Sequence, residues 1–117
     1  MSGALMLIAL VAAHFYFDYA GQGDFMARAK NRTAPVAGVP FWQPLTAHAV
    51  IHGAASALIT GMPWVFVAEG VIHWLTDDAK CRGRISYNTD QAIHLACKFV
   101  WFAAVTFAAA QGSKGGA

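Results

Sequence analysis

Charged residues are scarce in this chain, and their scarcity restricts the class of protein to which it can belong. Only 12% of the 117 residues are Asp, Glu, Lys or Arg, whereas 57% are hydrophobic. A soluble domain usually carries about a quarter charged residues. The sequence also contains no phosphate-binding loop, no internal repeat and nothing that favours nucleic-acid binding. The composition therefore predicts one domain that is surrounded largely by lipid.

The sequence also favours neither a disulfide nor a signal peptide, two features typical of exported proteins. The cysteines, Cys81 and Cys97, form no Cys-x-x-Cys pattern and lie on the predicted reducing side or within a predicted span, so neither a disulfide nor a thiolate metal site is favoured. The apolar start, Met1–Ala13, lacks the basic residues of a signal peptide, and cleavage after it would separate a polar pair from its helix. We expect this segment to be a retained membrane span.

Four apolar runs remain, and several approach the ~20 residues that a spanning helix needs. They cover residues 4–19, 45–60, 63–76 and 92–110. The predicted fold is all-α, a transmembrane four-helix bundle over residues 1–111, followed by a disordered Gly-rich tail at 112–117. A soluble four-helix bundle is the alternative, but the first and last runs lack the charged outer stripe that a soluble helix would show.

Basic residues predict how the bundle is oriented. The positive-inside rule places both loops that carry these residues in the cytoplasm. Both termini then lie on the outer side of the bacterial inner membrane. A tight turn is predicted at Gly61-Met62-Pro63, on the outer side. The only positive charges predicted on the outer side are Lys114 and the amino terminus. The six cations that determine this orientation are Arg28, Lys30, Arg32, Lys80, Arg82 and Arg84.

The first basic loop is predicted to contain a short helix, Gly23–Asn31, that lies at the membrane interface. Phe25 would face lipid, and Arg28, Lys30 and Arg32 would face lipid phosphates.

The histidines form the most informative pattern. Each of the five lies four residues from another histidine or an aspartate, so both side chains of a pair share one face of a helix. Alternating chain direction brings the four pairs to the cytoplasmic end in two layers about 5–6 Å apart. The outer layer is predicted to hold Asp18, His48, Asp77 and Asp90, and the inner layer His14, His52, His73 and His94.

Imidazole and carboxylate groups are ligands of divalent transition metals, and two layers could hold two ions. All eight residues are therefore predicted to bind metal in a dinuclear centre, with zinc as the first candidate and iron or manganese as alternatives. Asp18, Asp77 and Asp90 are the candidate catalytic residues, as ligands or general bases. For a single pair, a buried histidine satisfied by a carboxylate is the simpler interpretation. Four pairs at one depth favour a cation or a proton path, because burying so many polar groups is costly.

Three further residues are predicted to support this centre. Glu69 and Lys98 lie one turn deeper and should pair, because an unpaired charge at that depth costs roughly 3 kcal/mol. Gln22, four residues beyond Asp18, would orient a ligand from the cytoplasmic side. Asp78 points to another helix face and is expected to be solvated.

The same residues belong to a longer pattern. His14-x3-Asp18-Tyr19-x2-Gln22, Ala27-x2-Lys30, His48-x3-His52, His73-x3-Asp77 and Asp90-Gln91-x2-His94 follow in this order. Together they resemble a small polytopic membrane family of phages and bacteria, domain of unknown function 3307. The resemblance runs from His14 to the fourth span and implies a compact helical membrane domain with a polar histidine and aspartate centre, but no reaction. Tyr19 stands where Phe is common, a departure that affects packing more than ligation.

The predicted function is metal-dependent hydrolysis of a lipid-linked or phosphorylated small molecule at the membrane. One alternative is a non-catalytic protein that conducts ions or protons, or that a metal stabilises for interaction in the bilayer. Another is a haem-binding electron carrier in which the inner histidines are axial ligands. Small residues such as Gly53 and Ala57 permit close helix contact, either within the chain or in a homo-oligomer.

Overall fold

The computed structural model describes residues 1–115, and every regular element in that range is helical. The elements are α1 (Gly3–Phe15) with a π-helical turn (Tyr16–Ala20), α2 (Gly23–Ala29), α3 (Trp42–Thr60), α4 (Pro63–Cys81) and α5 (Tyr87–Gly115). The all-α fold class predicted from the sequence is confirmed.

Local sequence signals explain where several helices begin and end. The Ser2 side chain accepts a hydrogen bond from the Leu5 backbone N–H and caps α1. Gly61 ends α3 in the left-handed conformation, with φ of 71°, and Pro63 occupies the first turn of α4. The tight turn predicted between these two helices is confirmed.

The helices α3 and α4 form a closely packed antiparallel hairpin, and α1 and α5 complete the bundle around it. A Cβ atom added at Gly53 in α3 would lie 2.6 Å from the backbone oxygen of Phe66 in α4. The small residue predicted to allow close helix contact therefore does so within the chain. The short helix α2 packs near the start of α3, at the end of the bundle where α1 stops.

The bundle is polar inside and apolar outside. Among the described residues, fifteen polar or charged side chains are buried, against seven buried apolar ones. Large apolar side chains such as Leu58 and Val67 are instead exposed. The segment Gly3–Ala20 and helix α5 are each long and apolar enough to cross a membrane, whereas α3 and α4 fall short of that test within the described range.

The structure corrects two predicted boundaries. Residues 112–115, expected to be a disordered tail, continue α5 as helix to Gly115, and residues 116–117 lie outside the described part of the chain. The loop helix ends at Ala29 rather than Asn31, because Lys30 and Asn31 form the turn that closes it. Extension of α5 is explained by the good helix formers that precede the glycines, including three consecutive alanines at 108–110.

Candidate metal centre

The four polar pairs meet at one end of the bundle. They lie at the end of α1 and its π-turn, the start of α3, the end of α4 and the start of α5. No member of the eight is more than 8% exposed. The structure therefore brings together every residue that the sequence predicted for the centre: His14, Asp18, His48, His52, His73, Asp77, Asp90 and His94.

The four inner imidazoles form a ring of contacting side chains. His73 lies between His52 and His94. Its ring is stacked on that of His52, with centroids 3.8 Å apart, and on that of His94, with centroids 3.9 Å apart. His14 closes the ring at 5.6 Å from His52 and 5.4 Å from His94. The predicted inner layer is thus present, with one histidine from each long helix.

Asp18 lies at the centre of the cluster rather than only in its outer layer. Its Oδ1 is 3.0 Å from the Nε2 atoms of both His48 and His52 and 3.5 Å from that of His73. Asp18 belongs to the π-helical turn, in which the Gly21 N–H bonds to the carbonyl of Tyr16, five residues earlier. This extra residue in the turn changes where Asp18 points, and π-turns of this kind are frequent at functional sites.

The spacing of these four side chains is compatible with a metal site. Ligand atoms about 2.0–2.1 Å from a tetrahedral zinc ion lie about 3.3 Å from one another. The distances from Asp18 Oδ1 to the three imidazole nitrogens are close to that value. All four ligand atoms also lie within 4.8 Å of each other.

Hydrogen bonding alone does not account for this arrangement. Of the three imidazoles around Asp18, only that of His48 is aligned for a hydrogen bond to it. The Nε2 atoms of His52 and His73 are buried without a hydrogen-bond partner, although Asp18 is near. Buried polar atoms are normally paired, and a cation held between the two nitrogens and the carboxylate could supply the missing partner.

A second set of groups lies beside the first. His94 Nε2 is 3.0 Å from Asp77 Oδ1 and 3.1 Å from Asp90 Oδ1. His94 also has ligand atoms close enough to Asp18 and Asp90 for the three to hold one ion. Asp18 thus belongs to two ligand groups, which its two carboxylate oxygens allow.

Asp77 is paired with a lysine that was expected to lie elsewhere. Lys30 was expected to face lipid phosphates, but it is only 2% exposed and its Nζ donates to Asp77 Oδ2 at 2.8 Å. The contact joins residues 47 positions apart, so no local spacing could predict it. Lys30 does stand in the motif through which the chain resembles its family, and that motif was the available signal.

His14 differs from the other seven predicted ligands. It belongs to none of the three ligand groups found among the described residues. Its Nε2 is 2.8 Å from Gln91 Oε1, and the same amide donates through Nε2 to Asp18 Oδ2. Gln91, another motif residue that the spacing argument did not use, therefore links His14 to Asp18.

Three further expectations are changed by the structure. Asp78 was expected to be solvated but is 5% exposed and accepts two hydrogen bonds from Arg32, which was expected to face lipid phosphates. The two residues fasten the first loop to the end of α4. Gln22 donates to the backbone carbonyl of Asp18 and so holds the π-turn rather than a ligand side chain.

One turn deeper, Glu69 and Lys98 are both 1% exposed and pair directly, as predicted. Trp101 donates its indole N–H to the other oxygen of Glu69. Glu69 Oε1 is also 3.5 Å from Nδ1 of His73, on the opposite side of that ring from the centre. A carboxylate in this position orients a metal-binding imidazole.

Comparison with known proteins identifies the family of this chain but no function. A family model described as "Protein of unknown function (DUF3307)" matches residues 6–113, a range that includes every residue of the centre. No curated protein and no solved structure matches the chain. Any assignment of function must therefore come from the chemistry of these side chains.

Proposed function

We propose that this chain, which belongs to the DUF3307 family, is an integral membrane metalloprotein with hydrolytic chemistry. The family match confirms the resemblance that the sequence motif carried, and it assigns no reaction. The observation that carries the proposal is the approach of three imidazole Nε2 atoms to one oxygen of Asp18, at 3.0–3.5 Å.

The distribution of side chains supports a position within the membrane. A bundle that buries acids, lysines and histidines while exposing leucine, valine and phenylalanine would be poorly stabilised in water, where burial of apolar surface drives folding. In a bilayer the same arrangement is favourable, since ionisable groups turn inward and pair. We propose that all four long helices span the bacterial inner membrane. The basic loops and the metal centre then lie on the cytoplasmic side.

The first ion is assigned to Asp18, His48, His52 and His73. Four protein ligands in a tetrahedron are typical of a closed zinc site, which contributes mainly to stability. Glu69 supports this assignment because it faces the outer nitrogen of His73.

The second ion is assigned to Asp18, Asp90 and His94. Three protein ligands leave a coordination position for water or substrate, as in catalytic zinc sites. Asp18 belongs to both groups and would help to hold both ions. Asp77 is less suited to ligation because Lys30 already neutralises it.

Such a centre activates water and polarises a phosphoryl or acyl oxygen. In the hydrolysis, the water oxygen forms a bond to the phosphorus or carbonyl carbon, the bond to the leaving oxygen breaks, and that oxygen receives a proton. The candidate acceptors of the proton of the water are the carboxylates of the centre, Asp18, Asp77 and Asp90.

The test is the metal content of the purified protein and its variants. His52→Ala and His73→Ala should each lose bound transition metal and lower the thermal unfolding temperature together, because metal binding contributes folding energy. Elemental analysis after mild dialysis measures the first effect, and a thermal melt in detergent the second.

His14→Ala provides a matched control. It removes an equally buried imidazole from the same ring but, as His14 lies outside the ligand groups, it should keep the metal. Equal loss of metal in all three variants would point to general collapse of the cluster, and full metal in all three would reject the centre.

Two observations disfavour the ion or proton path and the haem-binding carrier. A path for ions or protons would have to cross the whole bundle, but beyond Glu69 and Lys98 lies an apolar cluster of Val65, Trp101 and Val105. A haem group needs a slot between its axial ligands, whereas the inner imidazoles are stacked at 3.8 and 3.9 Å.

A further inference from the structure

A polar cavity of about 330 Å³ lies directly beside the proposed centre. Its walls come from the π-turn, α2, the end of α4 and the start of α5. Asp18 and Gln91 line it, so it reaches the carboxylate that the two proposed ions share. Tyr19 and Tyr87 also line it and are about half exposed, which places its mouth at the protein surface. A volume of this size holds on the order of ten water molecules.

Among the described residues that form the wall of this cavity, Lys80 is the cation. Its Nζ is 3.6 Å from Asp90 Oδ2 and 3.9 Å from Asp77 Oδ1, so it is attracted to both acids but makes no hydrogen bond to either. The side chain is 22% exposed. All three of its N–H groups are therefore free to bind a ligand in the cavity.

The charge of the centre indicates the sign of that ligand. The three aspartates of the centre and Asp24 in the cavity wall outnumber Lys30 and Lys80 by two, and the Glu69–Lys98 pair is neutral. One divalent ion would neutralise this excess, and a second would make the net charge positive. A buried excess of positive charge favours an anion nearby.

We infer that the cavity binds the phosphate group of a phosphate ester, with Lys80 as its cationic contact. This inference rests on the proposed metal centre, because without the ions the surrounding acids would repel an anion. The phosphate would lie beside Asp18, the proposed ligand that lines the cavity, and Lys80 would donate to its oxygens. The ester can be a lipid head group that enters at the interface or a soluble phosphate compound.

The test uses zinc-loaded protein in detergent and inorganic phosphate as the probe, followed by calorimetric titration. The wild type should bind phosphate, and Lys80→Met should weaken that binding at least about tenfold, the loss expected for a charged hydrogen bond. Zinc content should be unchanged in the variant, since Lys80 is not a ligand. Asp24→Asn, which removes a negative charge from the cavity wall, should tighten binding.

Lys114→Met is the matched control, because it removes the same charge from the exposed far end of α5. Zinc-loaded wild type that does not bind phosphate, or a Lys80→Met variant that binds as well as Lys114→Met, would overturn the inference alone. Wild type that does not retain zinc would overturn the proposed function, and this inference with it.

A further arm distinguishes the two sources of the phosphate. The same titration is made in phosphatidylcholine nanodiscs with and without phosphatidic acid. Competition by phosphatidic acid assigns the cavity to a lipid head group, and unchanged phosphate binding assigns it to a soluble ester.

Discussion

At the residue scale, the clearest feature is that charges deep in the bundle are paired. Glu69 uses both oxygens, one for Lys98 and the other for the Trp101 indole. Each of these three side chains comes from a helix of the bundle, so their contacts join α4 to α5 below the histidines. Removing one charge would leave its partner buried and unpaired, which is more costly than removing both.

We therefore predict strong coupling between Glu69 and Lys98. Glu69→Gln and Lys98→Met should each lower the free energy of unfolding by about 3–5 kcal/mol, and the double variant should recover much of that loss. Unfolding is measured on metal-free protein, because Glu69 also contacts His73 and a change in metal binding would confuse the result.

The exposed residue Lys114 supplies the control for that cycle, since Lys114→Met should have little effect. If the losses in the Glu69→Gln, Lys98→Met double variant were simply additive, the two side chains would not be coupled, and the helix phases that place the inner layer would be wrong.

At the scale of the elements, the regular helices could be predicted and the irregular segments could not. The spacing of four residues in His48-x3-His52 and His73-x3-Asp77 indicates the buried face of α3 and α4, because an α-helix repeats every 3.6 residues. Asp18 follows the same spacing but lies in a π-turn, and no periodicity argument indicates a turn with one extra residue.

The contacts made by the first loop were beyond sequence reasoning for a different reason. Lys30 and Arg32 reach acids 46 or 47 positions away in the chain. Composition and spacing treat a loop lysine as solvated, and only the packing of the loop against the end of α4 makes it a buried partner. For this reason the spacing placed Asp77 and Asp78 on their helix faces but did not predict the lysine and the arginine that pair with them.

The α3–α4 hairpin gives a prediction at the same scale. Gly53→Ala should lower the free energy of unfolding by about 1–3 kcal/mol, because the new Cβ would meet the Phe66 carbonyl oxygen at 2.6 Å and backbone cannot move aside as a flexible side chain can. Thermal unfolding in detergent measures the change.

Gly70→Ala, on the facing helix, is the matched comparison. Its added Cβ would lie 3.8 Å from the nearest atom, the Ala49 carbonyl oxygen, so the substitution should be neutral or stabilising through better helix propensity. Equal effects of the two substitutions would mean that the helices are not in close contact at Gly53.

At the scale of the whole molecule, the buried polar side chains and the loop cations lie at the same end of the bundle. The polar centre lies at the end of the bundle where both basic loops emerge, and the turn at Gly61 lies at the other. Two of the six loop cations, Lys30 and Lys80, turn toward aspartates of the centre, and Arg32 and Arg82 approach the buried Asp78. They remain on the same side as the others, so the positive-inside rule still predicts that this end faces the cytoplasm.

That orientation can be tested by labelling single cysteines in a variant that lacks Cys81 and Cys97. Thr33→Cys and Gly83→Cys, one in each basic loop, should react with a membrane-impermeant maleimide only after cells are permeabilised, whereas Gly115→Cys should react in intact cells. Both loop positions are exposed, so accessibility to the reagent depends on the membrane and not on packing.

Labelling of both loops in intact cells would invert the bundle and place the proposed centre outside. Labelling of all three positions only in broken cells, with the protein in the soluble fraction, would favour the soluble four-helix bundle instead.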